Sequence, residues 1–93
     1  MGLLSGPSSR IVARGPREVV VLESALRELL AIPFHERRMI AAQVDRLAMD
    51  ALPRGVQAIE GRFRDHLRLR VGRFRVIYRV LEGELTVVAV LAD

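Results

Sequence analysis

Apolar residues follow two different periods along this chain. From Ala25 to Ala51 they recur every three or four positions, the spacing of a helix face, and from Leu67 to Val71 they recur at every second position, the spacing of a strand. A β-branched run, Arg17-Glu-Val-Val-Val-Leu22, precedes the helical part and reads as a strand. It ends at Glu23-Ser24, where Ser24 is placed to cap a following helix. Ala25, Leu26, Leu29 and Leu30 form the apolar face of that helix, with Glu23 and Arg27 four apart as a supporting pair. Ile32-Pro33 ends it, because proline disfavours the helical conformation in the residue before it. Pro33 also suits the start of a second helix, whose Ile40, Val44, Leu47, Ala48 and Ala51 keep to one stripe.

Leu52-Pro53-Arg54-Gly55 breaks the helical pattern, and a short connection over Val56 to Gly61 leads into the period-two region. In Phe63 to Val71 the odd positions Leu67, Leu69 and Val71 are apolar while His66, Arg68 and Arg70 point the other way. Gly72-Arg73 predicts a turn into the strand Phe74 to Leu81, and Glu82-Gly83-Glu84 a turn into Leu85 to Leu91. The order β-α-α-β-β-β predicts an α+β fold: an antiparallel meander sheet with the N-terminal helical hairpin packed on one face. Residues 1–16, rich in Gly, Ser and Pro, read as a flexible leader, and residues 17–93 as a single domain.

With 93 residues the chain has room for one core, and at this size a partner chain would help it fold. Half of the residues are apolar, which argues against disorder. Without cysteine, and with His35 and His66 far apart, disulfides and thiol chemistry are excluded and a protein-held metal or cofactor is not expected. The longest apolar run, Leu85 to Ala92, is too short to span a membrane, so the expectation is a soluble, cytoplasmic protein.

Charge changes this picture. All fifteen basic residues are arginine, and seven of them (62, 64, 68, 70, 73, 75 and 79) crowd between Arg62 and Arg79 against the single acid Asp65. That stretch carries +6 over eighteen positions, whereas the rest of the chain is slightly acidic. Like charges opposed across neighbouring strands cost from a few tenths to about 1 kcal/mol each, so such a cluster opposes folding unless an anion binds there. Phosphate oxygens and partner carboxylates both suit arginine's planar fork.

Leu67-Arg-Leu-Arg-Val-Gly-Arg-Phe-Arg-Val-Ile-Tyr78 closely resembles the central signature of the RelE/ParE superfamily of bacterial type II toxins, Leu-Arg-Leu-Arg-Val-Gly-x-Phe/Tyr-Arg-Val-Ile-Tyr. The strand-helix-helix beginning at Arg17 is similar to that family as well, so the resemblance covers about residues 17–92. It implies a toxin held inactive by a cognate antitoxin in a hetero-oligomer, inhibiting translation by metal-free, ribosome-dependent mRNA cleavage. The ParE branch instead poisons DNA gyrase, and a toxin that only binds antitoxin is a third alternative. Nuclease members usually continue past the last strand with a basic residue and a Tyr or His, whereas this chain ends at Leu91-Ala92-Asp93.

Aligned on the motif, Arg75, Arg68 and His66 are the candidate catalytic residues. Arg70 and Arg73 are candidates for binding RNA or another anion. The alternation puts His66, Arg68 and Arg70 on one face, with Arg75 opposing them if the hairpin is in register. Guanidiniums held around a scissile phosphate would stabilise charge in the transition state, and His66 would serve as general base. Tyr78 has the opposite parity and is expected in the core.

Overall fold

A computed structural model describes residues 9–59 and 65–92. The elements are β1 (Ser9–Ala13), β2 (Glu18–Leu22), α1 (Glu23–Leu30), α2 (Phe34–Leu47), β3 (Gln57–Ala58), β4 (Leu67–Val71), β5 (Phe74–Leu81) and β6 (Glu84–Ala92). All six strands join one sheet in the order β1-β2-β6-β5-β4-β3. Neighbours pair antiparallel except β2 and β6, which run parallel and bring the first half of the chain against its last strand.

Both helices pack on one face of this sheet. Ala25, Ile40, Val44 and Leu47 meet Val19, Val21, Leu69, Val71, Val76, Tyr78, Leu85 and Val87 in a continuous core. The α+β arrangement expected from the periodicity is therefore present, with two strands more than the sequence predicts. One is β1, within the stretch that reads as a leader. Ile11 and Val12 are its only consecutive β-branched pair, yet β2 offers an otherwise open edge, and pairing satisfies backbone groups on both strands. Ile11 turns to one face of the sheet, beside Val20 and Leu22, and Val12 to the other, beside Val21, Leu29 and Val44. Gly15 allows the following turn to approach α2 closely: a Cβ there would come within 2.9 Å of the Met49 sulfur and 3.0 Å of the Ala48 carbonyl oxygen.

The other addition is β3, two residues of the predicted connection, which pairs Gln57 with Arg68 and Ala58 with Leu67. The strand predicted from Phe63 is formed from Leu67; Phe63, with Arg62 and Arg64, lies outside the described residues.

Ser24 does not cap α1. Strand β2 passes straight into the helix, Leu22 holds the cap position in extended conformation, and no side chain bonds to the first amides. Glu23 in the first turn complements the helix dipole instead and reaches Arg27 at 4.0 Å. Pro33 opens α2 as expected.

Tight turns fix the registers. Val71 pairs with Phe74 across the two-residue loop Gly72-Arg73, and Gly72 takes φ +61°, a left-handed value that such loops demand of glycine. Glu82 takes φ +46° in the next loop, whose Gly83 carbonyl accepts from the Glu18 amide at 3.1 Å.

Strand β6 is irregular near its middle. Ile77 pairs with Ala89 but Tyr78 pairs with Val87, so Val88 is an extra residue in β6. Simple alternation from Leu85 puts Ala89 and Leu91 in the core with Val87. The bulge reverses this: Val90 is buried in the core, and Ala89 and Leu91 turn to the face that the helices leave uncovered.

Candidate anion-binding face

The uncovered face of β4 and β5 carries the arginines that alternation assigns to it. Arg70 pairs directly with Arg75 in the β4–β5 ladder, and Arg68 lies one pleat along, opposite Ile77. Three guanidiniums are thus gathered by two adjacent strands, while Leu69, Val71, Phe74, Val76 and Tyr78 from the same strands turn into the core. Arg75 is half-buried on an interior strand and donates from Nη2 to the Ala92 carbonyl at 3.4 Å.

Arg68 lines two neighbouring hollows. In one, of about 210 Å³, Arg68 and Arg75 flank Ile59, Ile77, Ala89 and Leu91, so cations edge a hydrocarbon floor. In the other, of about 190 Å³, Arg68 and Arg70 face Gln57 and Gly55. Arg68 Nη2 donates to Gln57 Oε1 across the β3–β4 pair.

Two expected site residues do not line these hollows. Arg73, in the turn after β4, donates to Glu36 of α2 through Nε at 2.7 Å and Nη2 at 2.8 Å, with its guanidinium 4.8 Å from the Phe74 ring centroid. These bonds hold Glu36 below the usual carboxylate range and raise Arg73. This charge is committed to a helix rather than to the arginine group of β4 and β5, because the turn swings it past the end of the sheet. His66 is half-buried just before β4 and lines neither hollow; its carbonyl accepts from the Ile59 amide at 3.1 Å, which puts it next to a wall of the apolar one. Its parity follows the arginines, but Asp65 before it takes φ +77°, so the strand geometry stops there.

Tyr78 is fully buried, and its hydroxyl donates to the Ala51 carbonyl at 2.7 Å. Burial, with the Asp50 carboxylate adding to it, pushes the phenol up to about 12. It ties the end of α2 to the sheet.

Gln57, Gly55, Ile59, Ile77, Ala89 and Leu91 are the lining residues that sequence reasoning missed. Gln57 alone had a signal, as a polar residue between apolar neighbours at the strand-forming end of the connection. Among the described residues no three His, Asp or Glu side chains gather as a metal site, and no helix is long and apolar enough to cross a membrane.

The sequence matches no protein-family model and no curated protein, so likeness to known proteins rests on structure. A chain from the archaeal RelE–RelB complex of Pyrococcus horikoshii superposes with a TM-score of 0.74 at 24% identity, covering 84% of this chain and 96% of that one. The fold is RelE-like. A chain of the toxin–antitoxin complex RelBE2 from Mycobacterium tuberculosis gives a TM-score of 0.62 at 21% identity, covering 85% of this chain and all of that one. One from the RelB–RelE complex of Methanococcus jannaschii gives 0.65 at 19%, covering 77% and 87%. Each of these RelE-like matches covers more than three quarters of this chain, which fits the α+β reading of the sequence.

Proposed function

We propose that this chain is the toxin of a type II toxin–antitoxin pair, held inactive by a cognate antitoxin, and that it inhibits translation by cleaving mRNA on the ribosome. The observation that carries the reading is the Arg70–Arg75 pair beside Arg68 on a sheet face that neither helix covers. Guanidiniums gathered on one open face concentrate donors that suit the oxygens of an anionic ligand. The RelE-like fold supports the same reading, since its solved neighbours come from toxin–antitoxin complexes.

In this reading Arg68 and Arg75 stabilise the charge that develops on a scissile phosphate, Arg70 anchors a neighbouring phosphate, and His66, beside Ile59, takes the proton of the attacking 2′-hydroxyl. Guanidiniums suit this role because they stay charged at any physiological pH and present paired donors to phosphate oxygens.

Expression of the chain with and without its neighbouring gene tests the proposal. Growth arrest accompanied by cut mRNA, relieved by the neighbouring gene product, is expected. Arrest with intact mRNA and broken DNA would replace it with gyrase poisoning, and unimpaired growth would leave a protein that only binds an antitoxin.

A further inference from the structure

Two arginines of this chain are held by partners of different kinds. Arg73 meets a carboxylate, Glu36, which cancels its charge. Arg68 meets an amide oxygen, that of Gln57, which orients the guanidinium and leaves its charge intact. The bond uses one of the five donors of the fork. A neutral acceptor in that position fits a cation that is kept for a ligand.

What flanks Arg68 indicates the ligand. On one side the hollow with Ile59, Ile77, Ala89 and Leu91 offers hydrocarbon and, among the described residues that line it, no polar side chain besides its two arginines. On the other, Gln57 and Arg70 supply polar groups, and the wall at Gly55 is open, with no heavy atom within 4 Å of where its Cβ would be. An apolar recess and a cationic one sharing an arginine match a flat base joined to a phosphate. We propose, resting on the mRNA-cleaving function, that the two hollows are subsites for one nucleotide of single-stranded RNA. The base lies on Ile77 and Leu91, its phosphate between Arg68 and Arg70, and Gln57 acts as the positioning residue of Arg68. A hydrocarbon floor has no hydrogen-bonding group with which to tell one base from another, so recognition there is tolerant of sequence.

Fluorescence anisotropy of the full chain with a short labelled 2′-O-methyl oligoribonucleotide, which cannot be cleaved through its 2′-oxygen, tests this against the same backbone carrying abasic residues. The abasic strand should bind about tenfold more weakly. Leu91→Ala should weaken the base-bearing strand several-fold and leave the abasic one unchanged. Gln57→Glu should reduce the slope of log affinity against log salt by about 0.7, as Arg68→Ala does, because its carboxylate would cancel one cation. Gln57→Ala should weaken binding without that loss of slope.

Equal binding of the two strands would overturn the base subsite while leaving an RNA-binding toxin in place. A slope unaltered by Gln57→Glu would overturn the role of Gln57. Failure of the wild-type chain to bind either strand would overturn both subsites, while cleavage on the ribosome would still be decided by the expression experiment. Capture of an acidic, leucine-bearing peptide in place of both strands would reassign the recess to a protein partner and reject the proposal.

Discussion

The uncovered face of the sheet has two ends of opposite character. At the β1–β2 end a hollow of about 560 Å³ is lined by Ile11, Val20, Leu22, Thr86, Arg79 and two carboxylates, Glu18 and Glu84. At the β3–β5 end the hollows are smaller, and Arg68, Arg70 and Arg75 line them with no carboxylate among the described lining residues. Glu18 and Glu84 are paired neighbours on β2 and β6, and Glu84 accepts from the Thr86 hydroxyl at 3.2 Å. Arg79 therefore stands beside two acids, whereas the hollows across the sheet are lined by three arginines. Volume favours the first end and concentrated positive charge the second. For a ligand made of phosphates the charge decides, because each contact displaces counterions that size alone does not.

The two ends should differ most at Arg75 and Arg79. Arg75→Ala is expected to lower mRNA cleavage by about 10²–10³-fold, the effect of removing one preorganised donor from a developing oxyanion. Arg79→Ala, at the acidic end, should stay within about twofold, since an exposed charge among carboxylates contributes little. Equal losses in cleavage assays of the two variants would erase the distinction between the ends.

Stability should respond to neither arginine as it does to Tyr78, which lies under the helix-covered face. Tyr78→Phe leaves the buried Ala51 carbonyl without its donor and should cost about 1–3 kcal/mol in urea unfolding, with cleavage retained. A lost cleavage activity in that folded variant would place Tyr78 at the site and refute its core assignment. The same phenol gives a pH test. Its folded value of about 12 lies above the ordinary 10.0, so the folded state holds the proton more tightly. The stabilisation is complete below about pH 10 and is lost as pH rises through 12. The chain has one tyrosine and no tryptophan, so phenolate absorbance reports it directly; titration of the folded protein at the ordinary value would contradict the burial.

The salt response is a finer measure. Three phosphate contacts on a single strand predict a slope of log affinity against log salt near about −2, and a flat response would exclude phosphate as the main partner. The smallest expected effect is at Glu82. Relief of its left-handed backbone by Glu82→Gly should raise stability by about 0.5 kcal/mol in the same urea experiment, the strain removed exceeding the entropy cost of glycine. Destabilisation would show that the Glu82 side chain does more in that turn than its backbone suggests.

Much of the fold and the arginine face was legible in the residues. The helix hairpin, the β4–β5–β6 meander, the burial of Tyr78 and the shared face of Arg68, Arg70 and Arg75 all follow from local periodicity. Other features were not. β1 was hidden because a short Ile-Val pair among Gly, Ser and Pro becomes a strand only beside the open edge of β2. Arg73 reads as one more cation of the cluster, yet its partner Glu36 is 37 positions away. The floor of the apolar hollow was illegible for another reason: Val87, Val88, Ala89, Val90 and Leu91 are all apolar, so no polar position betrays which of them face the core.

By itself the sequence determined which side of β4 and β5 each residue takes, because a pleat alternates strictly and Arg68, Arg70, Arg75 and Arg79 mark the outward parity. The tertiary structure decided what lies beside them. The extra residue Val88 turned Ala89 and Leu91 outward, β3 brought Gln57 against Arg68, and α2 took Arg73 away. Parity is a property of neighbours in the chain, whereas a bulge, a ladder partner or an ion pair is settled only when distant segments meet.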